Sequence, residues 1–305
     1  MYSIVIPVYN EKETIPTLYE RVKHVIDALD APAEVVVVED GGTDGSFELL
    51  GEIHRKDPRF KILSFSRNFG HQVAISAGLE HAAGDAVMII DGDLQDPPEV
   101  LPQFIAKWKE GFDVVYAIRK KRKENIVKRT AYALFYRILN RFSYLDIPLD
   151  SGDFCLMDKT VVEAMRRLPE RKRFVRGLRT WVGFRQVGLA YERDKRFAGE
   201  PKYTFTKLLG LAYDGIFSIS TTPLRVAVYI GFALAALAFL GGALVIYDKL
   251  VNGIAIAGWS STIVIITFLG GVILSTLGVI GEYVSRIYEE VKNRPLYVVR
   301  EKLGL

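Results

Sequence analysis

The chain is almost without cysteine: Cys155 stands alone among 305 residues. That excludes an internal disulfide and fits a reducing compartment. Zinc-ligand spacing is missing as well, since Cys155 and His71 are isolated, and a lone histidine at a helix start reads as structural. The N-terminal region holds neither Gly-x-Gly-x-x-Gly nor Gly-x-x-x-x-Gly-Lys-Ser/Thr, which disfavours dinucleotide enzymes and P-loop NTPases. A strong charge of one sign is absent too, because a formal net charge of +4 does not by itself point to nucleic acid. Met1-Tyr2-Ser3 runs directly into a strand-like segment, so no secretory leader is expected.

What is present divides unevenly. A chain of 305 residues, half of them hydrophobic, accommodates two domains or one domain with an appendage. The N-terminal part alternates β-rich runs with helical patterns. Strands are predicted at Ser3–Val8, Glu34–Val38, Phe60–Phe65, Ala86–Ile90 and Asp113–Ala117, and helices at Thr14–Leu29, His71–Ala83 and Glu99–Glu110. Such alternation implies an α/β fold with a mostly parallel sheet covered by helices on both sides. In sheets of this kind the ligand crevice lies beyond the strands' carboxyl ends. Those ends carry the polar clusters Asn10-Glu11, Glu39-Asp40, Ser66-Arg67-Asn68 and the acidic stretch Asp91–Glu99. Each has a plainer reading, and Glu39–Gly45 has the glycines of an ordinary turn.

The acidic stretch is the most pointed of them. Asp91 and Asp93, one glycine apart after a strand, fall on the same side of an extended backbone. Like charges this close raise one pKa unless a cation holds them apart. A hard divalent ion with oxygen ligands, its shell completed by a diphosphate, answers that need. Gln95 supplies a neutral oxygen on the same side. The alternative is a solvated loop in which Asp96 caps the following helix.

Taken in order, Val5-Ile6-Pro7-Val8-Tyr9-Asn10-Glu11, Glu39-Asp40-Gly41-Gly42-Thr43-Asp44, Ser66-Arg67-Asn68-Phe69-Gly70-His71 and Asp91-Gly92-Asp93-Leu94-Gln95-Asp96-Pro97-Pro98-Glu99 carry a resemblance. They resemble the inverting family 2 glycosyltransferases of GT-A (Rossmann-like) fold, in the branch that glycosylates polyprenyl phosphates. Gly42, where the family usually has serine, and Glu39, often aspartate there, depart from the pattern.

The resemblance implies roles. Asp91, Asp93 and Gln95 would hold Mg²⁺ or Mn²⁺ against the diphosphate of a nucleotide sugar, UDP-linked by preference. Pro7, Tyr9, Glu11, Asp40 and Arg67 would line the nucleotide-sugar pocket. Asp153, in Ser151-Gly152-Asp153-Phe154, would be the carboxylate beside the acceptor, as a base or as a positioning group. The acceptor is a lipid phosphate already ionised at neutral pH. Arg176, Arg196 and Lys202 would bind phosphate, although a basic run is ordinarily a solvated surface. Glucose from UDP-glucose is the favoured donor sugar, with GDP-mannose, UDP-N-acetylglucosamine and a modified arabinose open.

The last third changes character. Val226–Tyr247 is uncharged over 22 residues, and Ile254–Gly281 is a second uncharged run. At about 1.5 Å per residue the first is long enough for a hydrocarbon core of about 30 Å. Lysines and arginines lie outside the pair, which by the positive-inside rule sets both ends in the cytoplasm. The expected organisation is a cytoplasmic GT-A domain over 1–203 and a juxtamembrane amphipathic helix over 204–222. Transmembrane helices over 224–247 and 261–283 and a basic cytoplasmic tail over 284–305 complete it. Residues 125–146 read as a basic amphipathic helix on an anionic membrane surface. The partners to expect are a nucleotide sugar, a polyprenyl phosphate and the cytoplasmic membrane, with a homo-oligomer open and nucleic acid not expected. A processive polysaccharide synthase would need a Gln-x-x-Arg-Trp motif that Arg179-Thr180-Trp181 does not supply. A non-catalytic membrane scaffold is the rival of another class.

Overall fold

The computed structural model describes residues 1–120, 151–171, 173–192, 222–251 and 258–305. The predicted interfacial helix 125–146 and all but the last residue of the predicted juxtamembrane helix 204–222, with Arg196 and Lys202, lie outside the described residues. The chain divides into two compact units, Met1–Ala212 with Arg294–Leu305, and Tyr213–Asn293.

The first unit is built on β1 (Tyr2–Val8), α1 (Ile15–Asp27), β2 (Ala33–Glu39), α2 (Ser46–Lys56), β3 (Phe60–Phe65), α3 (His71–His81) and β4 (Ala86–Ile89). A single 3₁₀ turn (Pro98–Val100), α4 (Leu101–Lys109), β5 (Val114–Lys120), β6 (Ser151–Asp158), α5 (Lys159–Arg166), α6 (Val175–Trp181), β7 (Gln186–Glu192) and β8 (Val299–Leu303) follow. The sheet order is β7-β5-β6-β4-β1-β2-β3-β8. β3, β2, β1 and β4 are mutually parallel, β5 and β7 are parallel to each other, and β6 and β8 run antiparallel to their neighbours.

The five predicted strands are all present, and their apolar continuity follows from cover on both faces. Along β1, Ile4, Ile6 and Val8 enter the core beneath α1, α2 and α4, whereas Val5 enters the opposite core beneath α3 and α5. Strand geometry thus splits one apolar run between two layers. β6, β7 and β8 were not expected, because β6 reads as a site segment and β8 as part of a basic tail. The tail expected over 284–305 is instead helix as far as Val291, then the edge strand β8. β8 is held by the stacked rings of Phe65 and Tyr297, 4.8 Å between centroids, and by Tyr297 Oη donating to Glu80 at 2.7 Å.

The second unit contains α7 (Thr222–Val251) and α8 (Trp259–Val291), which touch each other. Both exceed the predicted spans. α8 outruns its apolar stretch because Arg286 pairs with Glu282 one turn back at 2.7 Å, which supports the extra turns. The candidate spans are Thr222–Leu244 and Val264–Val291, and in the most apolar stretch of each only 6% and 0% of residues are buried. Helices this apolar and this exposed are not the core of a soluble domain.

At the amino end of the sheet Glu34, 4% exposed, accepts from Ser3 Oγ at 2.5 Å and Ala83 N at 2.7 Å and pairs with Lys61 Nζ at 2.8 Å. Burial alone would raise its pKa, but the bonds from Lys61, Ser3 and Ala83 outweigh it and hold the carboxyl below the usual glutamate range. A group whose pKa is lowered on folding stabilises the fold above its unfolded pKa and stops doing so as pH falls through the folded value. Glu34→Gln should therefore cost about 1–3 kcal/mol at pH 7, and the deficit should shrink toward pH 4. Thermal unfolding of both chains in detergent checks this; an equal deficit at both pH values contradicts it.

Candidate active site

The carboxyl ends of β1, β2, β3 and β4 meet the amino end of antiparallel β6, and the loops leaving them are laced together. Asn10, with φ of 52°, turns its Oδ1 to accept from Thr43 N at 2.9 Å. Lys12 N donates to Asp44 Oδ2 at 3.0 Å, and Asp40 N to Val8 O at 2.9 Å. Tyr9 and Arg67 are exposed, Glu11 is half-buried, and Pro7 is buried within β1 opposite Val38.

Asp40 is 2% exposed and accepts from Phe69 N at 2.7 Å and Gly70 N at 2.9 Å. Burial pushes its pKa up against those two amides, and Glu39 adds to the rise. Glu39 is itself locked, accepting from Ser64 Oγ at 2.7 Å and from the amide of Gly42. A Cβ on Gly42 would lie 2.9 Å from Glu39 Oε1 and 2.7 Å from Asn10 Oδ1. The two departures from the family pattern are therefore one packing solution, in which the longer acid at 39 occupies the space of a side chain at 42.

The backbone leaves the extended conformation soon after β4, and Leu94 has φ of 57°. Even so, burial alternates: Asp91, Asp93 and Gln95 are half-buried, while Gly92, Leu94 and Asp96 between them are buried. Gln95 N donates to Asp93 Oδ1 at 3.2 Å across the turn. Asp96 is not the cap of the following helix. That place belongs to Pro97, and the Asp96 carboxylate accepts from the hydroxyl of Tyr191 on β7.

His71, expected to be structural, is in the site, its Nε2 3.0 Å from Asp91 Oδ1. Burial raises the Asp91 pKa, and Asp96, Asp153 and Asp93 raise it further against the pull of His71. Asp153, 6% exposed, is gripped by Arg176, whose Nε and Nη2 lie 2.9 and 3.2 Å from its two oxygens. Burial works against ionisation there, but Arg176, His71 and the amide of Gln72 at 3.0 Å prevail and hold the carboxyl at about 2. The sequence marks Asp153 and Arg176 separately; the fold joins them.

Among the described residues no three His, Cys, Asp or Glu side chains are already gathered around a metal-sized gap. The donor set nonetheless fits a hard divalent ion. Asp91 and Asp93 offer carboxylate oxygens, and the crowding that raises Asp91 is what a cation would relieve.

Arg179 escaped the sequence reading because a basic run usually lies on the surface. It is fully buried, its guanidinium carbon 5.4 Å from the Tyr116 ring centroid, and its Nε and Nη2 make no hydrogen bond among the described residues. The signal was there: Val175, Arg179 and Val182 recur at one helical face.

Gly41 makes the tightest crossing. Its φ is 64°, and a Cβ there would fall 2.1 Å from the carbonyl carbon of Arg67, a backbone atom. Gly183, with φ of 78°, has open space instead. Gly183→Ala should cost only the left-handed conformation, about 1 kcal/mol. Gly41→Ala should lower the thermal midpoint well beyond that, because two loops must separate. Equal midpoints for the two variants would contradict the crossing.

The glycosyl transferase family 2 model matches residues 3–166, and the eight-stranded sheet is GT-A-like. The chain is 50% identical over 305 residues to the Bacillus subtilis protein named uncharacterized glycosyltransferase YkcC, covering 100% of this chain and 94% of that one. It is 45% identical over 300 residues to the SfII prophage-derived bactoprenol glucosyl transferase of Shigella flexneri, covering 98% of this chain and 97% of that one. Among solved structures it is similar to Mycobacterium tuberculosis glucosyl-3-phosphoglycerate synthase in complex with Mn²⁺, UDP-glucose and phosphoglyceric acid. That likeness has a TM-score of 0.49 and 19% identity, covering 71% of this chain and 77% of that one. With a family model over more than half its length and a full-length relative at 50% identity, the chain belongs to glycosyl transferase family 2.

Proposed function

We propose that this enzyme transfers glucose from UDP-glucose to a polyprenyl phosphate at the cytoplasmic membrane face, inverting the anomeric carbon. One observation carries the reading: the likeness to bactoprenol glucosyl transferases extends over 98% of the chain, both apolar helices included. Tyr9 and Arg67, exposed at the loop tips, contact the nucleoside and diphosphate, while Pro7, Glu11 and Asp40 shape the pocket floor. Asp91, Asp93 and Gln95 hold Mg²⁺ or Mn²⁺. When bound, that ion neutralises charge on the departing diphosphate.

Asp153 does not need to take a proton. With its carboxyl held at about 2 by Arg176 it is a feeble base at neutral pH, and a phosphate acceptor arrives already ionised. Its role is to hold Arg176, the arginine whose chemistry suits the acceptor phosphate. Arg196 and Lys202 supply further positive charge to the phosphates. The remaining barrier falls through positioning and charge stabilisation.

Purified chain in detergent should transfer radiolabelled glucose from UDP-glucose to undecaprenyl phosphate. Activity should vanish with excess EDTA and in Asp93→Asn, which should retain the wild-type thermal midpoint. Full turnover in EDTA would refute metal dependence. Preference for GDP-mannose, UDP-N-acetylglucosamine or an arabinose donor in the same assay would replace the sugar.

The chain leaves its first unit before Tyr213 and rejoins it at Arg294, where β8 enters the same sheet as β1. Two crossings by α7 and α8 return it to the side it left. Because Cys155 is fully buried and its thiol pKa raised by burial, single cysteines report cleanly. Val251→Cys should label only from outside the cell and Arg294→Cys only from the cytoplasm. Labelling of both from one side would overturn this topology.

A further inference from the structure

Four consecutive residues leading into α3 touch three carboxylates from different parts of the chain. Phe69 N and Gly70 N hold Asp40 after β2, His71 meets Asp91 after β4, and Gln72 meets Asp153 on β6. Gln72 does more than touch. Its Nε2 donates to Asp153 Oδ2 at 3.0 Å, and its Oε1 accepts from Val175 N at 2.8 Å. The amide orientation is dictated by these partners, since the reverse would set oxygen against carboxylate and NH₂ against N–H. Val175 opens α6, where Phe174 provides no side-chain cap, so Gln72 satisfies that first amide. The next residue is Arg176, which grips Asp153. One side chain therefore fixes both halves of the Asp153–Arg176 pair and ties them to the turn that Asp40 and Asp91 already hold.

We propose that Gln72 is a positioning residue for transfer, setting the Asp153–Arg176 pair against the acceptor phosphate in register with the donor end of the crevice. The role rests on the reaction proposed above. Gln72 does not touch the reacting atoms; it acts through Arg176. Its loss should lower kcat and leave the donor KM nearly unchanged.

Gln72→Glu gives the discriminating test. The new carboxylate still accepts from Val175 N but faces Asp153 with like charge, so kcat at pH 8 should fall about 10- to 100-fold. Asp153 pushes the pKa of the new carboxyl up while Arg176 and His71 pull it down, and once protonated the carboxyl again offers a donor to that aspartate. The ratio of variant to wild-type kcat should therefore climb as pH falls from 8 to 5.5, with donor KM within twofold throughout. Gln72→Met, of similar length and without either bond, should lose kcat at every pH with no recovery. It also covers the case in which Gln72→Glu does not fold. An active wild type with a flat Gln72→Glu ratio, or with Gln72→Met at wild-type kcat, overturns the role and leaves the reaction standing. A wild type inactive on every donor with polyprenyl phosphate overturns the reaction and this role together.

Discussion

Carboxylates crowded into one half-buried crevice repel each other, and most of the surrounding structure answers that repulsion. Asp91, Asp93 and Asp96 share one loop, and Asp153 joins them from a strand far along the chain. The answers are separate: two backbone amides for Asp40, an imidazole for Asp91, a tyrosine hydroxyl for Asp96 and an arginine fork for Asp153. Asp153 stays ionised because its partner is a cation. Asp91, with only a histidine beside it, is the carboxyl left to be raised. Negative charge is thus concentrated where a cation would be most favoured.

The sheet makes this convergence possible. Its central parallel strands deliver their loops to one end, and antiparallel β6 brings Asp153 to that end from the other direction. Arg179 lies beneath, buried against Tyr116, as a cation without a full set of hydrogen bonds. Such a group costs stability. At the opposite end of the sheet Glu34 is satisfied in full by Ser3, Lys61 and Ala83. The contrast separates a carboxylate satisfied within the fold from carboxylates crowded against one another.

The apolar helices α7 and α8 are long and apolar enough to cross a membrane. Beyond them the chain returns into β8, so its C-terminal residues belong to the same sheet as β1, and a stretch that reads as a charged tail is a strand.

The local sequence by itself determined the alternating strands and helices of the first 120 residues, the crevice end, the acidic motif and the two long apolar helices. Each rests on a short-range regularity: period two, period 3.6, a turn glycine, or a run of uncharged residues. Only the tertiary structure decided that Glu39 and Gly42 compensate, that Asp153 pairs with Arg176, and that Val299–Leu303 closes the sheet edge. The same holds for Gln72, whose two partners lie 81 and 103 residues away. Nothing near position 72 encodes those bonds; they exist because the sheet order brings α3, β6 and α6 to one corner.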